Sequence, residues 1–188
     1  MGYLDQCEGK AMRRVMVVGQ PGSGKSWLAV RIGARLGVPV YHMDQITWAP
    51  GWVERGHDER VARCAAVEAG DAWVFDGNFS ATAANRVARA DQVVWLDAPV
   101  WRRLWAVTWR KVTGLGRVRA DMAPGCPEGL GREAWTFYRY IWATRATGRD
   151  RIAAVLKPAP AKVVRLTNRA QVARYLVDLR ADNAILGK

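Results

Sequence analysis

Gly19-Gln20-Pro21-Gly22-Ser23-Gly24-Lys25-Ser26 is a full G-x-x-x-x-G-K-[ST] run. Glycines at this spacing let successive backbone N–H groups converge on phosphate oxygens, and a helix opening at Lys25 adds the positive end of its dipole. In such a loop the lysine reaches the β and γ phosphates of a nucleoside triphosphate and the Ser26 hydroxyl ligates Mg2+. Trp27 follows where a small residue is commoner, and could crowd the nucleotide or stack on a nearby group. The run from Gly19 to Trp27 is therefore the candidate cofactor-binding set, with ATP and Mg2+ as the expected cofactors.

A phosphate loop needs an acid near the magnesium, at the end of a neighbouring strand. Two residues qualify: Asp76, closing Trp73-Val74-Phe75, and Asp97, closing Val93-Val94-Trp95-Leu96. Either could instead cap the turn that follows it. Asp44 comes just after an apolar run ending at His42, at the carboxyl edge where α/β sheets bind ligands, and is a candidate to orient or deprotonate an acceptor hydroxyl. His42 and Trp48 could help bind that acceptor, though packing is the simpler reading for both. Arg102, Arg103, Arg110, Lys111, Arg117 and Arg119 arrive with no acid until Asp121, and Arg139, Arg145, Arg149 and Arg151 follow. Arginines on both sides of a loop suit a lid that closes over a transferring phosphoryl group. Arg145 and Arg149 share one helical face if a single helix runs past Gly148.

These residues need a scaffold. The chain has 188 residues, half of them hydrophobic, enough for one domain with a genuine core. Short apolar runs at 15–18, 38–42, 73–75, 93–96 and 163–166 alternate with helical stretches at 25–36, 54–69, 81–90, 100–112, 132–147 and 171–179. Such alternation reads as a parallel sheet with helices on both faces. Residues 114–131 break the rhythm with glycines and prolines and read as a long mobile loop, the candidate lid. Trp101, Trp105 and Trp109 form a stripe at helical spacing, expected to pack in the core or an interface, with stacking on bases between the interleaved arginines as the alternative. Residues 1–11 read as a disordered extension, with Met12 the candidate natural start of a single domain running to residue 188.

The charge is +12, with 29 basic and 17 acidic residues, so the partner is expected to be anionic. Three widely spaced cysteines fit neither a disulfide framework nor a zinc site, and no apolar run is long enough to span a bilayer. The cytoplasm is the expected compartment.

The order of motifs is also distinctive. The phosphate loop, Asp44 with Trp48 and Pro50-Gly51-Trp52, Trp73-Val74-Phe75-Asp76-Gly77-Asn78-Phe79, Ala90 to Pro99, and Asp121-Met122-Ala123-Pro124-Gly125-Cys126-Pro127-Glu128 together resemble the bacterial adenylate-kinase-like P-loop family of DNA topology modulation proteins. The resemblance spans about residues 13–180. It implies a nucleoside-monophosphate-kinase-like fold with five parallel strands in the order 2-3-1-4-5, and a lid. It favours Asp76 on the magnesium side, likens Arg110 to the arginine at the lid's entrance, and likens Arg145 and Arg149 to the phosphate-clamping pair at its exit. Adenylate kinases continue Asp-Gly with an aromatic residue, Pro and Arg, whereas this chain has Asn78-Phe79-Ser80, so the AMP contacts are absent. The leading expectation is an ATP-dependent kinase of a nucleotide or other small molecule, with Lys25, Asp44, Asp76, Arg110, Arg145 and Arg149 as its catalytic set. The alternatives are a nucleotide-regulated DNA-binding ATPase and a simple hydrolase.

Overall fold

The computed structural model describes residues 12–129 and 132–186. In chain order its elements are β1 (Arg14–Gly19), α1 (Lys25–Leu36), β2 (Val40–His42), α2 (Met43–Thr47), β3 (Trp48–Ala49), β4 (Val53–Glu54), α3 (His57–Glu68), β5 (Trp73–Asp76), α4 (Ser80–Arg89), β6 (Gln92–Leu96), α5 (Val100–Thr113), α6 (Arg132–Ala143), α7 (Thr147–Leu156), β7 (Val163–Leu166) and α8 (Arg169–Leu186). The expected extension at 1–11 lies outside the described residues.

Five strands form one sheet in the order β2-β5-β1-β6-β7, and every pair is parallel. With the small β3–β4 hairpin set aside, this is the expected order 2-3-1-4-5. The strands are nearly all apolar because both faces are covered. Met16, Val18, Phe75, Val93 and Trp95 face α3, α4 and α7, meeting Cys64, Val87 and Ile152. Val15, Val17, Val74, Val94 and Leu166 face α1 and α8, meeting Leu28, Ile32 and Tyr175. At the amino end of β1 the Asp91 carboxylate accepts hydrogen bonds from the Arg13 and Arg14 amides and pairs with the Arg14 guanidinium at 2.8 Å. The opposite, carboxyl edge is left to loops.

Three elements depart from the sequence pattern. Helix α3 begins at His57 rather than near Glu54, because Val53 and Glu54 pair antiparallel with Ala49 and Trp48. The helix expected over 132–147 breaks: α6 ends at Ala143 and α7 starts at Thr147. At the break the Arg149 amide turns to the Ala146 carbonyl, and the Thr144 and Arg145 carbonyls accept from the Gln20 side-chain amide. Arg145 and Arg149 therefore do not share one helical face.

Helix α5 is the third departure. Its tryptophan stripe is not core, since Trp101, Trp105 and Trp109 are each 61–64% exposed. The face turned inward carries Arg103, Val107 and Lys111 at the same four-residue spacing. Buried carboxylates explain the inversion. Lys111 reaches Glu128 at 3.1 Å, and Arg103 lies in the field of Asp97.

Candidate active site

β1 delivers the chain to the carboxyl edge of the sheet at Gly19, and α1 leaves from Lys25. Between them the loop needs its glycines for two physical reasons. Gly22 and Gly24 have φ of 79° and 92°, the left-handed region that favours glycine. A Cβ at Gly22 would also lie 2.5 Å from the Arg103 carbonyl oxygen, and one at Gly19 would lie 2.6 Å from Ser23 Oγ. Gly24 is the N-cap of α1 and offers no side-chain cap, so the first-turn amides are left for a ligand. Among the described residues no hydrogen bond or ion pair holds the Lys25 ammonium. Ser23 Oγ is enclosed, without a hydrogen-bond partner among the described residues. The Trp27 ring, in contrast, is half exposed and covered by the Arg31 guanidinium at 3.6 Å.

β5 runs beside β1 with Asp76 in register with Val17, so the Asp76-Gly77-Asn78 turn emerges next to the glycine loop. Asn78 clasps that loop, donating to the Gly19 carbonyl at 2.7 Å and accepting from the Gly19 amide at 3.3 Å. Gly77 has φ 124°, and a Cβ there would lie only 2.5 Å from Met43 Cβ, so its bare backbone lets α2 sit tight against the turn. Beneath it Arg86 donates to the Gly77 and Phe79 carbonyls and pairs with Glu68 at 3.0 Å.

The two strand-end acids differ sharply in their surroundings. Asp76 Oδ2 meets His42 Nδ1 at 2.7 Å, while Oδ1 is enclosed and has no hydrogen-bond partner among the described residues. Both oxygens of Asp97 are taken: Arg149 contacts them at 2.9 and 2.7 Å, and Arg165 bonds Oδ2 through Nε at 2.9 Å and through Nη2. Burial alone would raise the Asp97 pKa, but these arginines outweigh it and hold the carboxyl below the usual range. Magnesium fits the Asp76 side. A hard cation there needs few protein ligands because phosphates and water complete its shell, and the described residues contain no cluster of three His, Cys, Asp or Glu side chains.

Asp44 opens α2, and Arg119 reaches it at 3.6 Å from the expected lid. Arg119 also contacts Asp121 and Glu128, and Arg110 and Lys111 both pair with Glu128 as well. Burial pushes the Arg110 guanidinium down, with Arg119 adding to the effect and Glu128 opposing it. Three cations thus converge on the buried Glu128 carboxylate.

Through residue 129 the segment is tied down rather than free. Gly51 N donates to the Gly125 carbonyl, Trp52 N donates to Cys126 Sγ at 3.3 Å, and Gln45 donates to the Ala120 carbonyl. Met122, Ala123 and Cys126 are buried against Trp48. Pro50-Gly51-Trp52 and Gly125-Cys126, 74 residues apart from Trp52 to Cys126, are two halves of one contact.

The clamp candidates are separated. Arg149 is on Asp97, whereas Arg145 donates to the Trp142 carbonyl and lies over the Trp142 ring at 4.7 Å. A cleft of about 310 Å³ opens beside the glycine loop, lined by Gln20, Asn78, Phe79, Ser80, Tyr140 and Arg151 among others.

Solved structures with this architecture include shikimate kinase from Acinetobacter baumannii in complex with shikimate, at 17% identity, covering 97% of both chains with a TM-score of 0.53. Shikimate kinase from Bacteroides thetaiotaomicron matches at 16% identity, covering 95% of this chain and 100% of that one with a TM-score of 0.54. The fold is that of the P-loop kinases. No protein-family model matches the chain and no curated protein does, so the likeness to the DNA topology modulation proteins rests on the motifs alone. Among the described residues no helix of this P-loop fold is long and apolar enough to cross a membrane.

Sequence reasoning missed Arg86, Arg119 as the partner of Asp44, and Glu128 as the hub. Arg86 carries one legible signal, an arginine in register with the apolar Ala83 and Val87 face of α4. For Glu128 the cluster of cations before it was visible, but its burial was not.

Proposed function

We propose that this chain is an ATP- and Mg2+-dependent phosphotransferase acting on a hydroxyl-bearing small molecule. The observation that carries the reading is the phosphate loop itself: uncapped amides at the start of α1, with the Lys25 ammonium held by no group among the described residues. Gly19, Gln20, Pro21, Gly22, Ser23 and Gly24 would surround the phosphates through their backbone, and Lys25 would neutralise them. Ser26 and Asp76 would hold Mg2+, which when bound spreads charge away from the transferring group. The unpartnered Asp76 Oδ1 supports that assignment over Asp97, whose oxygens are both engaged. Trp27, turned outward under Arg31, would flank the nucleotide rather than cover its phosphates.

Asp44 would face the acceptor, with Arg119 steadying it from the 114–131 segment acting as a lid. Arg110 and Arg149 would be released from Glu128 and Asp97 to meet phosphoryl charge, and Arg145, in the break between α6 and α7, would swing to join them. In this reading residues 12–188 are one domain. A shikimate complex among the fold neighbours supports a small hydroxylated acceptor. The neighbours lend the DNA-binding alternative no support.

The test is ATP consumption with Mg2+, screened against nucleosides, nucleoside monophosphates, sugars and hydroxy acids. The expected result is ADP formed only with an acceptor, and its loss by at least about a hundredfold in Lys25→Met, with the variant's circular dichroism unchanged. Turnover retained in a folded Lys25→Met protein would sink the proposal.

A further inference from the structure

Arg103 is among the largest fully buried side chains of the molecule, 1% exposed, and the proposed phosphoryl transfer gives it no task. Its Nε and Nη1 are enclosed and have no hydrogen-bond partner among the described residues. A buried guanidinium without a partner is expensive, since the desolvation of its charge is offset by nothing. Burial pushes its pKa down, the Asp97 carboxylate opposes that effect and the Arg149 cation adds to it, so the three groups lie within one another's fields. Asp97 is already satisfied by Arg149 and Arg165. Two guanidinium groups therefore contact the buried Asp97 carboxylate, while Arg103, in its field, makes no ion pair among the described residues.

Position gives this excess charge a meaning. The Arg103 carbonyl lies where a Cβ on Gly22 would fall, at 2.5 Å, so the first turn of α5 is laid directly on the glycine loop. On the other side Gly148, next to Arg149, abuts the Gln20 side chain, and a Cβ there would lie 2.5 Å from its amide nitrogen. The cluster thus flanks the phosphate loop from α5 and α7 at once. Arg149 and Arg165 are about half exposed, with side-chain exposures of 50% and 47%, so their own guanidinium groups are open to a ligand from solvent.

We infer that Arg103, with Arg149 and Arg165, forms an anion subsite beside the glycine loop that takes a phosphoryl oxyanion. The ligand supplies the acceptor oxygens that Arg103 lacks in the protein, and Arg149 exchanges part of its hold on Asp97 for the same group. Planar guanidinium donors suit a phosphoryl oxyanion because they can bind it through two parallel hydrogen bonds. The source of that oxyanion is the nucleotide on the phosphate loop, and to that extent the inference rests on the proposed function. Free phosphate presents the same chemistry.

The test is calorimetric titration and thermal denaturation of wild type, Arg103→Met, Arg103→Lys and Lys25→Met, with MgATP, MgADP and inorganic phosphate. Arg103→Met is expected to raise the melting temperature of the ligand-free protein, because an unpaired buried charge is removed. It is also expected to weaken MgATP binding by at least about tenfold, the usual consequence of losing a hydrogen bond to a charged group, with Arg103→Lys in between. Arg103→Met and Arg103→Lys both binding every ligand like wild type would overturn the inference, as would a lowered melting temperature in Arg103→Met with binding unchanged. The proposed function fails separately, if MgATP binding is absent from wild type or indifferent to Lys25→Met. In that case phosphate binding lost in Arg103→Met upholds the subsite, and phosphate binding absent or indifferent to Arg103 overturns it too.

Discussion

Arg86 and Glu68 meet at 3.0 Å with side chains 0% and 1% exposed. Glu68 is further bonded by Asn85, and Arg86 carries the carbonyls of Gly77 and Phe79 and lies over the Phe75 ring at 4.4 Å. Removing one partner of such a pair leaves the other charge buried alone, so Glu68→Ala should cost about 3–5 kcal/mol. Urea denaturation measures it directly, and a loss under about 1 kcal/mol would mean that Arg86 finds another anion. The effect should also reach the site, because the Arg86 donors hold the turn that carries Asp76 and Asn78. The difference from Arg103 is what makes the two residues informative: one buried arginine is paired and supports a turn, the other has no partner among the described residues and awaits an anion. Of this chemistry the glycine loop and Asp76 were legible, because strand-Asp-Gly and G-x-x-x-x-G-K-S are contiguous patterns. Arg86, Arg103 and Glu128 were not, since their meaning comes from partners distant in the chain and from burial that a charged residue type argues against.

Among the elements, α5 is where residue type misleads most. Its three spaced tryptophans read as core or interface packing, yet the stripe turned to the core is Arg103, Val107 and Lys111, and Trp105 and Trp109 stack on each other at 6.3 Å in the open. A helix turns inward the face that its surroundings can satisfy. Here those surroundings include Asp97 and Glu128, whose carboxylates need cations more than the core needs another indole. Replacing Trp101, Trp105 and Trp109 together by Gln should therefore change folding stability by no more than about 1 kcal/mol, as for surface sites generally. A much larger loss in urea midpoint would show that the stripe is covered in solution. The five sheet strands were readable because double coverage makes them short apolar runs. The β3–β4 hairpin was not, because its two-residue strands carry no periodicity. It is set by Gly51 and Trp52 at φ of 78° and 62°, and Trp52 is held in that uncommon conformation by Cys126 and by edge contact with Trp48 at 5.5 Å.

At the scale of the whole molecule, a net charge of +12 is compatible with folding because carboxylates are placed where cations gather. Asp97 binds Arg149 and Arg165 at one edge of the sheet, and Asp91 binds Arg14 at the other. Burial would raise both carboxyl pKa values, but the arginine hydrogen bonds, joined at Asp91 by the Arg13 and Arg14 amides, prevail and hold both below the ordinary aspartate value. A carboxylate whose pKa is lower folded than unfolded contributes stability that is complete above its unfolded pKa, about 3.9, and is lost as pH falls through the folded value. Acid should therefore destabilise this protein in two coupled ways, by withdrawing the anions at Asp91 and Asp97 and by leaving a still larger positive charge to repel itself. Urea midpoints between pH 7 and pH 2 should be level down to about pH 5 and fall below pH 4. Asp91→Asn should be less stable at neutral pH and fall less steeply in acid, because its share of the linkage is gone. Added salt should recover part of the acid loss by screening the repulsion, but not the part due to the carboxylates, which need their arginines in contact. An acid limb with the same slope in Asp91→Asn as in wild type would show that the charge of the whole chain, rather than these anchored pairs, sets its acid limit.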